Sequence, residues 1–267
     1  MAGEIRCSRC PILTADDFGL HREVNRGIVE LAACGRLDAV SIMFHPHADL
    51  SFIDQLVATD IAVGCHLVFV EEFPLASSSP SPMPKNYWQL FRAMSAGSCQ
   101  TSWIVAEAEA QLRRAGNMGI NLAFINSHQH VHLMPNIWKR LYPLLNELEL
   151  PVRGCSQFRK GPLKQMLVEV ASVLSVQSTR GRRFPLVHPL GIADAGRSSV
   201  QTAVEAARRA VFLPSEHRSE LVIHPGRGCS DLEKRYGYWC YSWENEWNLA
   251  ITGQFERALA SLHAFHL

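Results

Sequence analysis

Short apolar runs alternate with longer stretches of helical spacing along most of the chain. The strand-like runs cover residues 10–14, 38–43, 62–70, 122–126, 150–153 and 220–224. Leu20, Val24, Ile28 and Leu31 recur every three or four residues and stop before Gly35; Ile104, Ala108, Leu112 and Ala115 do the same before Gly116. Side chains at that spacing share one helix face, and an apolar face has to be covered by a neighbour. Residues 200–211 and 255–262 also read as helices. Strand and helix in alternation predict βα units that build a largely parallel sheet or barrel.

Two segments break the rhythm. Residues 74–84 hold four prolines and four serines and read as a surface loop rather than a domain boundary. Residues 155–198, with Arg180, Arg182 and Arg183 among scattered glycines and prolines, read as an insertion over one end of the sheet. No fixed-period repeat or long charge run divides the rest, so residues 1–267 are expected to form a single domain.

Composition narrows the function. At 267 residues and 47% hydrophobic content the chain can bury a sizeable core. Lys and Arg total 26 against 25 Asp and Glu, a net charge of +1, which excludes a field that draws the chain onto nucleic acid or an anionic membrane. The longest apolar stretch, 61–70, contains His66 and falls far short of the roughly 20 residues that cross a bilayer. Glu4, Arg6 and Arg9 leave no room for a signal-peptide core, so a cytoplasmic location is expected. Of eight cysteines only Cys7 and Cys10 form a C-x-x-C pair, and a zinc ribbon needs a second one. Reduced thiols are the expectation, with a Cys7/Cys10 redox pair as the alternative.

Twelve histidines are the unusual feature, because imidazole serves metal ligation and proton transfer near neutral pH. Asp16 and Asp17, in Thr14-Ala15-Asp16-Asp17-Phe18-Gly19, stand between a strand and a helix, where parallel α/β folds place their ligands. Neighbouring carboxylates point in different directions there, so one can hold a cation while the other acts as a base. The alternative is a helix cap. His66, in Gly64-Cys65-His66-Leu67, reads by itself as a hydrogen-bonded core residue and gains meaning only with partners.

The strongest signal is Ser127-His128-Gln129-His130-Val131-His132. If the strand continues through it, His128, His130 and His132 share one face, which is costly to bury without a cation or other partners. His224, before Pro225-Gly226, ends another strand. His45 and His47 flank Pro46 and either line the same mouth or sit in a solvated loop. Asp17, His66 and His128 from three strand ends leave open coordination positions, as a catalytic metal site requires. Asp16 then reads as the base toward water and His224 as the acid toward a leaving amine, with metal-assisted hydrolysis of an amide or ester as the result.

These motifs, in this order over about residues 11–252, resemble the YdjC-type carbohydrate deacetylases, a family that includes chitooligosaccharide deacetylases and the deacetylase of hopanoid biosynthesis. The matching elements are residues 14–20, 64–67, 127–132 and Ile223-His224-Pro225-Gly226. The resemblance implies a deviant TIM-like (β/α) barrel. It implies one divalent metal on Asp17, His66 and His128, commonly magnesium, although this ligand set also suits zinc, manganese or cobalt. It implies Asp16 as base, Arg153 as the residue that orients it, and His224 as acid. His130, His132 and His45 are then the candidate substrate contacts, the substrate an acetylated amino sugar on an oligosaccharide or lipid carrier, and a homodimer an open expectation.

The chain also departs from its relatives. Phe44-His45-Pro46-His47 replaces the small Asn-Gly turn of many relatives, and neither 74–84 nor 155–198 has a counterpart. Trp239, Tyr241 and Trp243, with Tyr236 and Tyr238 nearby, either stack on a sugar ring or pack a C-terminal helix. A different metallohydrolase, an amidohydrolase or phosphoesterase, is the rival enzyme reading, but amidohydrolase barrels open with His-x-His rather than Asp-Asp. A non-catalytic metal- or sugar-binding module is the other, and it would lack the base or acid that Asp16 and His224 supply.

Overall fold

The computed structural model describes residues 11–95, 102–154, 170, 173–177, 179–190, 192–211 and 218–260. Seven parallel strands close into a barrel in chain order: β1 (Ile12–Phe18), β2 (Ala39–Ile42), β3 (Ala62–Leu67), β4 (Phe124–Ser127), β5 (Val152–Arg153), β6 (Leu186–Leu190) and β7 (Arg218–Ile223), with β7 pairing back onto β1. The parallel barrel expected from the alternating pattern, and the TIM-like class that the resemblance implies, are therefore correct, with seven strands among the described residues in place of the usual eight.

Two residue sets alternate along the strands, as period-2 geometry demands. Leu13, Ala15, Val40, Ile42, Val63, Cys65, Leu67, Ile125, Leu221 and Ile223 join the large core under the helices. The intervening positions face the barrel interior. At its N-terminal end Ile12, Ala39 and Phe124 form a small apolar plug of their own, with Ala62 against it. Two residues further along come polar side chains, and the site is built there.

The predicted stripe Leu20, Val24, Ile28 and Leu31 is buried; the last three lie on α1 (Arg22–Ala33) and Leu20 in the turn just before it. Gly27 lets α1 approach the turn after β7, since a Cβ there would lie 2.8 Å from the Gly226 Cα. The structure also adds α2 (Ile53–Val57), α3 (Tyr87–Ser95), α4 (Trp103–Asn117), which carries the second stripe, and α5 (Pro135–Leu148). Toward the C-terminus lie α6 (Val200–Ala210), α7 (Ser230–Tyr236), α8 (Trp243–Ile251) and α9 (Gln254–Ala260).

Three sequence expectations change. Residues 155–198 are not wholly an insertion: Leu186–Leu190 is a barrel strand paired with β5 and β7. Strand β1 runs on through Asp16 and Asp17 instead of ending before them. Strand β4 stops at Ser127, and His128–Leu133 is a 3-10 turn with Gln129 and His130 at φ 50° and 54°, so the three histidines do not share a strand face.

Residues 74–84 are irregular, as expected, but they are anchored. Glu107 of α4, fully buried, accepts from the Leu75 and Ala76 amides and from the Ser79 hydroxyl. Glu71 and Glu72 open this loop and pair with its far end: the Glu71 amide donates to the Pro84 carbonyl at 2.8 Å and the Met83 amide to the Glu72 carbonyl at 3.1 Å. Cys34, Cys65, Cys229 and Cys240 are free thiols. The Cys7/Cys10 pair lies outside the described residues. Among the described residues no helix is long and apolar enough to cross a membrane.

Candidate active site

A regular strand would send Asp16 and Asp17 to opposite faces. Between Ala15 and Phe18 the register of β1 against β2 slips by one residue, and Asp17 sits at φ 68°. This bulge turns both carboxylates toward the C-terminal mouth of the barrel, each 1% exposed. Backbone strain of this kind clusters at functional sites.

Strands β2, β4, β5 and β7 each contribute a polar side chain to the layer around Asp16. Ser41 donates to its Oδ1 at 2.6 Å, Asn126 Nδ2 at 3.1 Å and Arg153 Nη2 at 3.0 Å, while Arg153 Nη1 donates to Oδ2. Arg153 is held in turn by Glu220, its Nε at 2.5 Å from Oε1 and its Nη2 at 2.9 Å from Oε2. Burial alone would raise the Asp16 pKa, but the Arg153 guanidinium beside it overcomes this and holds the carboxyl well below the usual carboxylate range. Asp16 therefore stays ionised, and Arg153, pushed upward by its two carboxylate neighbours against the cost of burial, stays charged.

Asp17 has the opposite surroundings. Neither of its buried oxygens accepts a hydrogen bond. Its Oδ1 instead lies 3.2 Å from His66 Nε2 and 3.3 Å from His128 Nδ1, close approaches without hydrogen-bond alignment. One donor atom from each of the three residues falls within 4.8 Å of the others. His66 Nδ1 lies 2.7 Å from Asn126 Oδ1, an atom that only accepts, so the proton sits on Nδ1 and Nε2 presents its lone pair. Three buried donors of hard and borderline type, an orphaned carboxylate and fixed tautomers fit a divalent cation.

The other candidates divide. His224 ends the arc, its Nε2 3.9 Å from Asp17 Oδ2 and its backbone amide tied to Glu246 Oε2 at 2.5 Å. Burial lowers its pKa more than the Asp17 and Asp16 charges raise it, so the resting imidazole is neutral. His45 is buried at the mouth, Nδ1 3.4 Å from Glu72 Oε2, with neither ring nitrogen hydrogen-bonded, and burial pushes it down to about 3. His130 is half-buried in the left-handed turn. His132 faces inward: its Nδ1 lies 2.5 Å from Ser127 Oγ and its Nε2 donates to the Arg153 carbonyl at 2.8 Å. Both ring nitrogens are engaged by the protein, so His132 braces β5 and Arg153 and offers nothing to a ligand.

Sequence reasoning missed Glu71, Glu220, Ser41 and Asn126. Glu71 Oε2 lies 2.8 Å from His128 Nε2, and its Oε1 accepts from Tyr238 and Trp239, each at 3.2 Å. The aromatic residues form a rail across the mouth. The Trp239 ring lies 5.1 Å from His128 and 5.3 Å from Tyr241, and Tyr241 lies 4.9 Å from His224. Trp243, buried beneath Tyr241, packs α8 onto the barrel instead.

The description "YdjC-like protein" matches residues 12–261. The chain belongs to the YdjC-like protein family. This YdjC-like chain is 28% identical over 149 residues to a carbohydrate deacetylase of Thermoanaerobacter pseudethanolicus, covering 54% of this chain and 59% of that one. It is 31% identical over 149 residues to a chitooligosaccharide deacetylase of Yersinia pestis, covering 53% and 58%. A carbohydrate deacetylase of Geobacillus stearothermophilus is 29% identical over 181 residues, covering 67% and 74%. The match thus spans less than two thirds of the first two relatives. A crystal structure from Enterococcus faecalis V583, described as a candidate cellobiose-phosphate cleavage protein, superposes with a TM-score of 0.69 at 18% identity, over 94% of this chain and 93% of that one, and shares the fold.

Proposed function

We propose that this YdjC-like protein is a metal-dependent hydrolase that removes the acetyl group from an N-acetylated amino sugar, carried on an oligosaccharide or lipid. The observation that carries the reading is the buried triad Asp17, His66 and His128 standing between an ionised Asp16 and a neutral His224. The deacetylase relatives support it.

Asp17, His66 and His128 would hold a divalent cation, magnesium by family likeness and zinc, manganese or cobalt by donor chemistry. Bound there, it would supply Lewis acidity toward the acetyl carbonyl and lower the pKa of water. Asp16, fixed by Arg153, takes a proton from the attacking water. The carbonyl carbon gains the water oxygen, and the C–N bond breaks as the sugar nitrogen gains a proton. His224, which burial keeps neutral at rest, takes up the proton that Asp16 removed from the water and passes it to the sugar nitrogen as the C–N bond breaks. The Trp239–Tyr241 rail offers a face for the sugar ring, and His130 and His45 line the approach. The neutral balance of charge suits an uncharged sugar, and the free thiols suit a reducing compartment such as the cytoplasm.

The test is acetate release from a panel of N-acetylglucosamine compounds, mono- and oligosaccharide and lipid-linked, with protein loaded in turn with each of the four metals. Release from at least one compound is expected. A folded, metal-loaded protein that releases acetate from none of them would end this reading.

A further inference from the structure

Glu71 lies four residues beyond β3, far in sequence from everything its side chain touches. It is a non-glycine residue in the left-handed region, at φ 72°, and both ends of its loop are tied down, by the Pro84 carbonyl and by Glu107. Its side chain is 9% exposed, and both carboxylate oxygens are used. A carboxylate only accepts, so the His128 nitrogen that faces it, Nε2, carries the proton. In the neutral ring this leaves the lone pair on Nδ1, the nitrogen turned toward Asp17. The indole N–H of Trp239 and the hydroxyl of Tyr238 both donate to the other oxygen, so the same carboxylate fixes the aromatic turn beside the His128 ring.

We propose that Glu71 is a positioning residue that sets the tautomer of His128 and docks Trp239 against it, linking cation binding to the shape of the sugar-facing wall. The proposal rests on the metal reading of Asp17, His66 and His128. A partner to a ligating imidazole usually changes metal affinity by 10–100-fold. A side chain that merely tied the loop would leave the His128 tautomer alone.

The substitution Glu71→Gln keeps the shape and one acceptor oxygen. With the carboxamide oxygen held by Trp239 and Tyr238, its NH2 faces His128 and favours the tautomer with the proton on Nδ1. Metal-free protein labelled with 15N-histidine, brought to alkaline pH at which the His128 ring is neutral, is expected to show the Nε2–H pattern for His128, and Glu71→Gln to shift it toward Nδ1–H. Calorimetric titration with zinc ion alone is expected to show affinity roughly 10–100-fold weaker in Glu71→Gln, at an unchanged circular dichroism spectrum. Trp239→Phe, which removes only the indole donor, is expected to weaken zinc binding in the wild-type background and have no effect in Glu71→Gln. Wild-type affinity in Glu71→Gln, or an unmoved His128 signature, overturns the positioning role. Equal effects of Trp239→Phe in the two backgrounds overturn the link. A wild-type protein that binds no zinc, magnesium, manganese or cobalt ends the metal reading, and this outcome is told apart by its occurring before any substitution is made.

Discussion

Arg153 grips Asp16 with both terminal nitrogens while the other edge of its guanidinium is gripped by Glu220. A charge buried in the barrel is tolerable only with close partners, and the planar fork serves two carboxylates at once. Lysine, a point charge, cannot span both. Arg153→Lys is therefore expected to raise the Asp16 pKa and move the acid limb of the kcat/KM profile to higher pH. An acid limb that stays in place in Arg153→Lys would remove Asp16 from the base role.

Asp16→Asn keeps the acceptor for Ser41 and Arg153 but loses the base. Turnover is expected to fall on the order of 10²-fold or more while calorimetric metal affinity stays near wild type. Asp17→Ala should do the reverse and strip the cation first. Near-normal turnover in Asp16→Asn would reassign the proton transfer.

His224→Ala is expected to harm amide cleavage more than hydrolysis of an activated aryl acetate, whose leaving group departs without a proton. Equal losses on the two substrates would argue against an acid.

In the metal-free protein burial would lower the His128 pKa, but Asp17 and Glu71 outweigh it and push the ring up to about 10. A cation must displace that proton. Titration at neutral pH in buffers of different ionisation heat should show about one proton released per cation, with affinity rising as pH rises toward 10. Binding without proton release would contradict this assignment.

Burial holds His45 and His132 down at about 3, against an ordinary 6.5. As pH falls below 6.5 the unfolded chain takes up two protons that the native state refuses, so stability is lost on acidification. Glu246, pushed by burial from 4.5 to about 7, is protonated in the native state over that window and offsets one of them. A net loss on the order of 1 kcal/mol per pH unit remains for the metal-free protein. A calorimetric Tm that stays flat or rises from pH 6.5 to 5 would contradict it.

Much of the barrel was legible because period-2 strands and an amphipathic helix are local signals. Strand β6 was not, since His188 and Pro189 sit inside it and its pairing with β5 and β7 is what makes it a strand. The histidine cluster misled by its spacing: i, i+2, i+4 means one face only in an extended chain, and the left-handed Gln129 and His130 end the extension. His128 thereby faces Asp17 while His132 turns under β5. Glu71 and Glu220 carried no signal at all, because their partners are 57 and 67 residues away and only barrel closure brings them together.

The Glu107 anchor separates two jobs that most enzymes entangle. Its carboxylate gathers the loop by backbone amides at Leu75 and Ala76, which any residue there except proline would still present, and by the single hydroxyl of Ser79. The residues between that grip and the Met83 end can then be exchanged without disturbing Glu71 or the strands below. Under the proposed function the barrel keeps the bond-breaking groups, while the sequence of the loop beyond the Glu107 grip is free to change.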